Sequence, residues 1–372
     1  MISDDRRTPP VLSRIVGGLP ATIPFLGPEA IERQLGHPLA VRLGANESLF
    51  GPSPRAVAAL REVAFESSLY GDPEGWDLRV ALAANHQIKP ENLVLGCGID
   101  ELLGLVVQAY LNPGETVVMS TGGYPTFAYH VNGHGGRFAT TPYRDFRNDA
   151  MALVDLARRE NAKILYLANP DNPTGSVLAP GVIAEMVAAL PENCLFLLDE
   201  AYAEFLEPAQ IPEIAIDDPR VIRFRTFSKA HGMAGLRLGY LFGAPQTVRP
   251  LDRIRNQFGV GRLTQVAALE SLRDTDHISA VVAAVAEGRA HYGRLADAAG
   301  CVALPSSTNF VAFDLGTEAR ANALLKSLIE NYRVFIRKPA VAPIDRLVRI
   351  TIGPPAARAI LAEALIPAVA AL

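Results

Sequence analysis

Short apolar runs alternate with amphipathic stretches over most of the chain. The runs at 92–95, 116–120, 163–168, 194–198, 221–225 and 238–242 are brief and rich in Val, Ile, Leu and Phe, which predicts strands. Between them, at 100–111 and 181–190 for example, apolar positions recur at three- and four-residue spacing. That spacing predicts helices packing one face onto a sheet. Strand–helix alternation of this kind predicts an α/β fold with a mostly parallel sheet. A long helical pattern over 277–299 then leads away. Residues 300–372 carry strand runs of their own, NFVAFDL, RVFIRK and LVRITIG. The start is rich in Pro and Gly, with one helix expected around 28–35. The expected organisation is an arm and small-domain segment at 1–45, a large domain at 46–275 and a smaller C-terminal α/β domain at 276–372.

Composition narrows the function classes. The 372 residues are 49% apolar and 20% charged, enough to bury a sizeable core. A net charge of −4 with mixed signs argues against nucleic acid as the partner. No apolar run is long enough to span a bilayer, and the start carries no secretory pattern. Cys97, Cys194 and Cys301 are far apart with no CxxC pair, so they read as reduced thiols of a cytoplasmic protein. His130 and His134 in HVNGHGG lack a third residue at metal-ligand spacing, and this segment reads as a glycine-rich loop. GxSxG, HExxH and Walker lysine motifs are missing, and GCGIDE lacks the third glycine of a dinucleotide fingerprint.

In open α/β sheets, ligands bind outside the carboxyl ends of the strands. Five predicted strands end in chemically loaded segments: Gly98-Ile99-Asp100, Tyr124 after a glycine pair, Asn172 in NPDNPTG, Asp199 with Tyr202, and Thr226, Ser228 and Lys229. Each has an ordinary reading alone, as a cap, a turn or a surface lysine. Together they supply what pyridoxal 5′-phosphate (PLP) requires. Lys229 forms a Schiff base with its aldehyde, and Asp199 keeps its ring nitrogen protonated. Asn172 and Tyr202 suit the ring hydroxyl, and Tyr124 suits the ring face. The helix start at Gly98, Ile99 and Asp100, with Thr226, Ser228 and Arg237, suits the phosphate.

The ordered segments LGANESLFGPSP (43–54), YGDPEG (70–75), GCGIDELLGL (96–105), NPDNPTG (169–175), DEAYAEF (199–205), TFSKAHGMAGLRLGY (226–240) and RITIG (349–353) resemble the motif series of fold-type I PLP-dependent aminotransferases of class I/II. The likeness is greatest to the histidinol-phosphate aminotransferase branch and covers roughly residues 25–355. The resemblance implies a mostly parallel seven-stranded sheet in the large domain. It implies Lys229 as Schiff-base lysine and proton shuttle, and a homodimer in which Tyr70 reaches the phosphate of the neighbouring subunit. It also implies Arg349 as the clamp for the substrate α-carboxylate, with Asn46 nearby.

The substrate is less legible. Histidinol phosphate and glutamate each bring an anion remote from the reacting amine, so a site serving both needs a second cation. Arg337 in VFIRK is the candidate. Phe25 and Phe258 fall where relatives often place tyrosines around a substrate phosphate, and Ser48-Leu49 replaces a more usual Asn-Pro. These departures leave room for an aromatic or other amino acid. A decarboxylase of the threonine-phosphate type would share every cofactor residue.

Overall fold

The protein is described by a computed structural model covering residues 10–20 and 26–372. The first strand, β1 (Val41–Arg42), belongs with the end of the chain. The next seven form the main sheet: β2 (Leu93–Gly96), β3 (Thr116–Ser120), β4 (Arg137–Thr141), β5 (Ile164–Ala168), β6 (Leu195–Asp199), β7 (Val221–Thr226) and β8 (Gly239–Gly243), in spatial order β2-β8-β7-β6-β5-β3-β4. Only β8 runs against its neighbours, pairing antiparallel with both β2 and β7.

Helices cover both faces, so β3, β5 and β6 are buried at every residue and read as continuous apolar runs. Strand parity divides their side chains. Ile164, Tyr166 and Ala168 share one core with Leu195, Leu197 and the helix Ile99–Tyr110. Leu165, Leu167, Phe196 and Leu198 meet the helices Ala150–Arg159 and Pro180–Ala189 on the other face.

Sequence reasoning missed β4. Its residues, RFATT, lie at the sheet edge and are mostly exposed or half-buried, so no apolar run marks it. The segment around His130, expected as a loop, belongs to the helix Pro125–Gly133. His130 packs against Gly104, where a Cβ would lie 2.7 Å from the imidazole.

The helix Thr275–Ala299 leads to an antiparallel sheet of β9 (Val302–Ala303), β10 (Phe310–Asp314) and β12 (Leu347–Thr351), in order β12-β10-β9. The helices Glu318–Tyr332 and Pro355–Ala370 pack on it around Phe310, Phe313, Leu324, Leu328 and Leu361. β1 pairs in parallel with β11 (Val334–Phe335), matching Val41 to Val334. The segment after β1 therefore starts from the small sheet and runs across to the main one. Among the described residues, no helix is long and apolar enough to cross a membrane.

Candidate active site

A cavity of about 400 Å³ opens between the carboxyl ends of the main sheet and the 45–47, Arg337 and Arg349 side of the small domain. Of the residues singled out by sequence, all but Gly98 and Tyr70 line it. Gly98 lies just beneath. It caps the helix Ile99–Tyr110 with φ +87°, and a Cβ there would come 2.5 Å from Arg237 Nη2.

The reversed β8 explains that contact. Gly239, its first residue, pairs with both Thr226 and Gly96. Arg237, two residues earlier, is thus returned to the edge where β2 and β7 end. Its guanidinium donates to the carbonyls of Ala234 (3.0 Å) and Cys97 (3.4 Å). Thr226 Oγ1 donates to Ser228 Oγ at 3.0 Å and accepts from Ser228 N at 3.1 Å. Glu101 reaches back to accept from Cys97 N, which fixes the turn. Cys97 itself donates its thiol to Gly259 O (2.8 Å), and burial raises its pKa. A helix N-terminus, two hydroxyls and a guanidinium thus converge on one rim of the cavity, a donor set suited to a phosphate.

Asp199 ends β6 and is 5% exposed. Its Oδ2 accepts from Tyr166 OH (2.8 Å) and its Oδ1 from Ala201 N (3.0 Å). Burial pushes this carboxyl up to about 6, since little in the protein alone compensates its lost hydration. The next residue, Glu200, points its charge elsewhere, into Arg223 (2.6 Å) and Arg225 (3.1 Å). Tyr166 was not singled out by sequence; in ILYLA it looks like one more apolar strand residue.

Lys229 Nζ donates to Asn46 O (3.1 Å) and sits 5.7 Å from the Tyr202 ring centre. Burial, then the charge of Arg349, lowers its pKa to about 8. Asn46, at φ +54°, donates its amide to Tyr202 OH (3.0 Å) and is held by Thr351, whose Oγ1 lies 3.0 Å from Asn46 N and 3.3 Å from its Oδ1. Thr351 was also missed. The sequence placed Asn46 near Arg349; in the structure Asn46 bonds to Tyr202 and Thr351, and Arg349 pairs with Asn172 Oδ1 and Gly44 O (3.1 Å). Asn172 stands in a turn anchored by buried Asp171, which accepts from Tyr143, Asn148 and Thr174. Tyr124 OH donates to Asp100 at 2.7 Å.

Among the described residues, Arg349 Nε is buried without a hydrogen-bond partner. Nε of Arg79, Arg346 and Arg358, outside the cavity, is unpaired as well, so the raised carboxyl of Asp199 and the lowered amine of Lys229 are what mark the cavity, since perturbed groups gather where ligands bind. A cationic ring nitrogen, an aldehyde and a phosphate fit Asp199, Lys229 and the Gly98–Arg237 cradle, so the residues present fit PLP. Tyr70 is 77% exposed, tilted at 36° against Phe258 with 4.6 Å between ring centres, and does not line this cavity. Phe25 lies outside the described residues.

Comparison with known proteins agrees with this fold and with a PLP cofactor. The family model for aminotransferase class I and II matches residues 40–365. The chain belongs to this family and is a PLP-dependent aminotransferase. It is 32% identical over 329 residues to histidinol-phosphate aminotransferase of Moorella thermoacetica, covering 87% of this chain and 84% of that one. It is 33% identical over 348 residues to that of Anaeromyxobacter, covering 92% and 95%. The crystal structure of histidinol-phosphate aminotransferase from Sinorhizobium meliloti in complex with pyridoxal 5′-phosphate superposes with a TM-score of 0.94. It is 45% identical, with 97% and 98% of the two chains covered.

Proposed function

We propose that this aminotransferase takes histidinol phosphate as amino donor and 2-oxoglutarate as acceptor. The observation that carries the reading is the pairing of Arg337 with Arg349. They are bridged backbone to backbone and line the same cavity as Lys229. Donor phosphate and acceptor side-chain carboxylate need a cation away from the reacting carbon, and Arg337 supplies it. Arg349 takes the α-carboxylate of glutamate in a forked contact suited to guanidinium. The likeness to histidinol-phosphate aminotransferases supports the same assignment.

PLP, when bound, supplies an aldehyde that condenses with amines and a protonated ring that accepts the electron pair left on the donor carbon. The chain does the rest. Asp199 would hold the ring nitrogen, and Asn172 with Tyr202 would hold the ring hydroxyl. Tyr124 would pack on the ring. Gly98, Ile99, Asp100, Thr226, Ser228 and Arg237 would hold the phosphate. Because burial and Arg349 lower Lys229 Nζ to about 8, a usable fraction of the amine is neutral at about pH 7–8, and that neutral form can accept a proton and give it back. It carries the proton removed from the donor carbon.

The enzyme is proposed to act as a cytoplasmic homodimer. Tyr70 and Phe258, together on an exposed face, would meet the site of the second copy, where Tyr70 adds a phosphate contact. The deciding experiment is a single half-reaction. The PLP form is mixed with histidinol phosphate, glutamate or phenylalanine in turn, and conversion to pyridoxamine phosphate is followed by absorbance. Fast conversion by histidinol phosphate supports the reading. Fast conversion only by another amino acid overturns it and directs attention to Phe258.

A further inference from the structure

We propose that Tyr166 is a positioning residue for Asp199, holding that carboxylate ionised and fixed in orientation for the cofactor ring. This rests on the assignment of Asp199 to the ring nitrogen.

On adjacent parallel strands, Ala168 pairs with Asp199 and Tyr166 with Leu197. Tyr166 is therefore on the same face as Asp199 and one diagonal step back, within reach of a phenol but not of a shorter side chain. The hydroxyl closes that gap and donates to Oδ2 at 2.8 Å, while Ala201 N donates to Oδ1 at 3.0 Å. Each carboxylate oxygen thus has one donor and a free lone pair. A buried carboxylate with a single backbone donor would turn more easily and would hold its proton more tightly.

The Tyr166 ring is itself fixed. It is 3% exposed and stacks on Phe127 at 4.7 Å with 27° between planes. Phe127 belongs to the helix that Tyr124 caps. One packed layer therefore sets both the residue proposed to cover the ring and the one that aims its counter-ion. Burial also raises the phenol pKa well above its usual value, so Tyr166 stays a donor throughout the working pH range.

The charge of Asp199 makes the role separable from packing. A hydrogen bond to a carboxylate is stronger than one to a carboxylic acid. Tyr166→Phe keeps the ring and removes only the donor. Denaturant stability of the apo protein is measured for wild type, Tyr166→Phe, Asp199→Asn and the double variant at pH 4.5 and pH 8. PLP affinity of each is measured by equilibrium titration. The Tyr166–Asp199 coupling is expected to be larger at pH 8, and Tyr166→Phe is expected to weaken PLP binding on the order of tenfold. A coupling equal at the two pH values, or wild-type PLP affinity in Tyr166→Phe, overturns the inference. Wild-type PLP affinity in Asp199→Asn instead overturns the ring-nitrogen assignment, so the two failures are distinguishable.

Discussion

Arg337 and Arg349 each donate a backbone N–H to the other's carbonyl, at 3.3 and 2.6 Å. Directly opposed residues of an antiparallel pair project to the same side, so two guanidinium groups enter one cavity from a single rigid bridge. Like charges brought together this way are unfavourable until anions arrive. The spacing between the two guanidinium groups is set by the backbone bridge.

That arrangement separates the two arginines in kinetics. Arg349→Lys is expected to lower kcat/KM for glutamate by about 10- to 100-fold, because one forked charge-assisted contact is lost. Arg337→Ala is expected to lower it for histidinol phosphate and glutamate but to spare donors without a second anion, such as phenylalanine. Stopped-flow half-reactions with the three donors check both.

Asp199 carries an unusual pH signature. Its carboxyl rises from 3.8 to about 6 in the folded protein, so between these values the folded chain binds more protons than the unfolded one. Its contribution to stability is present below pH 4 and is lost as pH rises through 6. Asp199→Asn is expected to stabilise the apo protein by about 3 kcal/mol at pH 8 and little at pH 3.5, while PLP affinity and turnover collapse. Chemical denaturation at the two pH values reads the first effect.

Lys229 behaves oppositely on the pH axis. Its pKa falls from 10.5 to about 8, so the folded chain sheds its proton first, and the penalty of burying the ammonium is full below pH 8. Lys229→Met is expected to raise the apo melting temperature at pH 7, with the gain shrinking toward pH 10. The same variant is expected to show no steady-state transamination.

Gly98→Ala places a methyl 2.5 Å from Arg237 Nη2 at φ +87°. The guanidinium can swing away, so the fold is expected to survive with a backbone strain of about 1–3 kcal/mol, since φ +87° with ψ 170° is a region open essentially to glycine. The phosphate clamp moves with it, and PLP affinity is expected to drop by about tenfold or more. Stripping the cofactor, dialysis against PLP-free buffer and titration with PLP measure the loss.

A mixing experiment tests whether the sites are shared between subunits. Lys229→Ala and Tyr70→Ala variants are each expected to have low activity. Unfolded and refolded together, half of the dimers are hybrids with one native site, so activity is expected to recover to about a quarter of wild type. No recovery would show that Tyr70 serves its own chain.

Much of this was legible in the sequence for a stated reason. A parallel sheet delivers its strand ends to one rim, so residues 98–100, 172, 199–202 and 226–229 had to converge wherever the strands lay exactly in register. Arg237 followed from its charge and its place eight residues after Lys229, with the motif resemblance in agreement. The reversal of β8 that returns it to the rim has no marker in an apolar run. Contacts that cross between elements were hidden: Arg349 on Asn172, Thr351 on Asn46 and Tyr166 on Asp199 depend on register and parity. β4 was hidden because an exposed edge strand needs no apolar alternation.

The pairing of β1 with β11 sets the order in which the site can be assembled. Leu43 N bonds to Phe335 O, Thr351 N bonds to Leu43 O, and Arg349 grips Gly44 O. The segment carrying Asn46 thus waits for residues synthesised some 290 positions later, by the numbering of Val41 and Val334. The main sheet can form on the ribosome long before that. A nascent chain would hold the phosphate cradle and Lys229 with one wall of the cavity missing, and cofactor capture in its final form belongs to the end of translation.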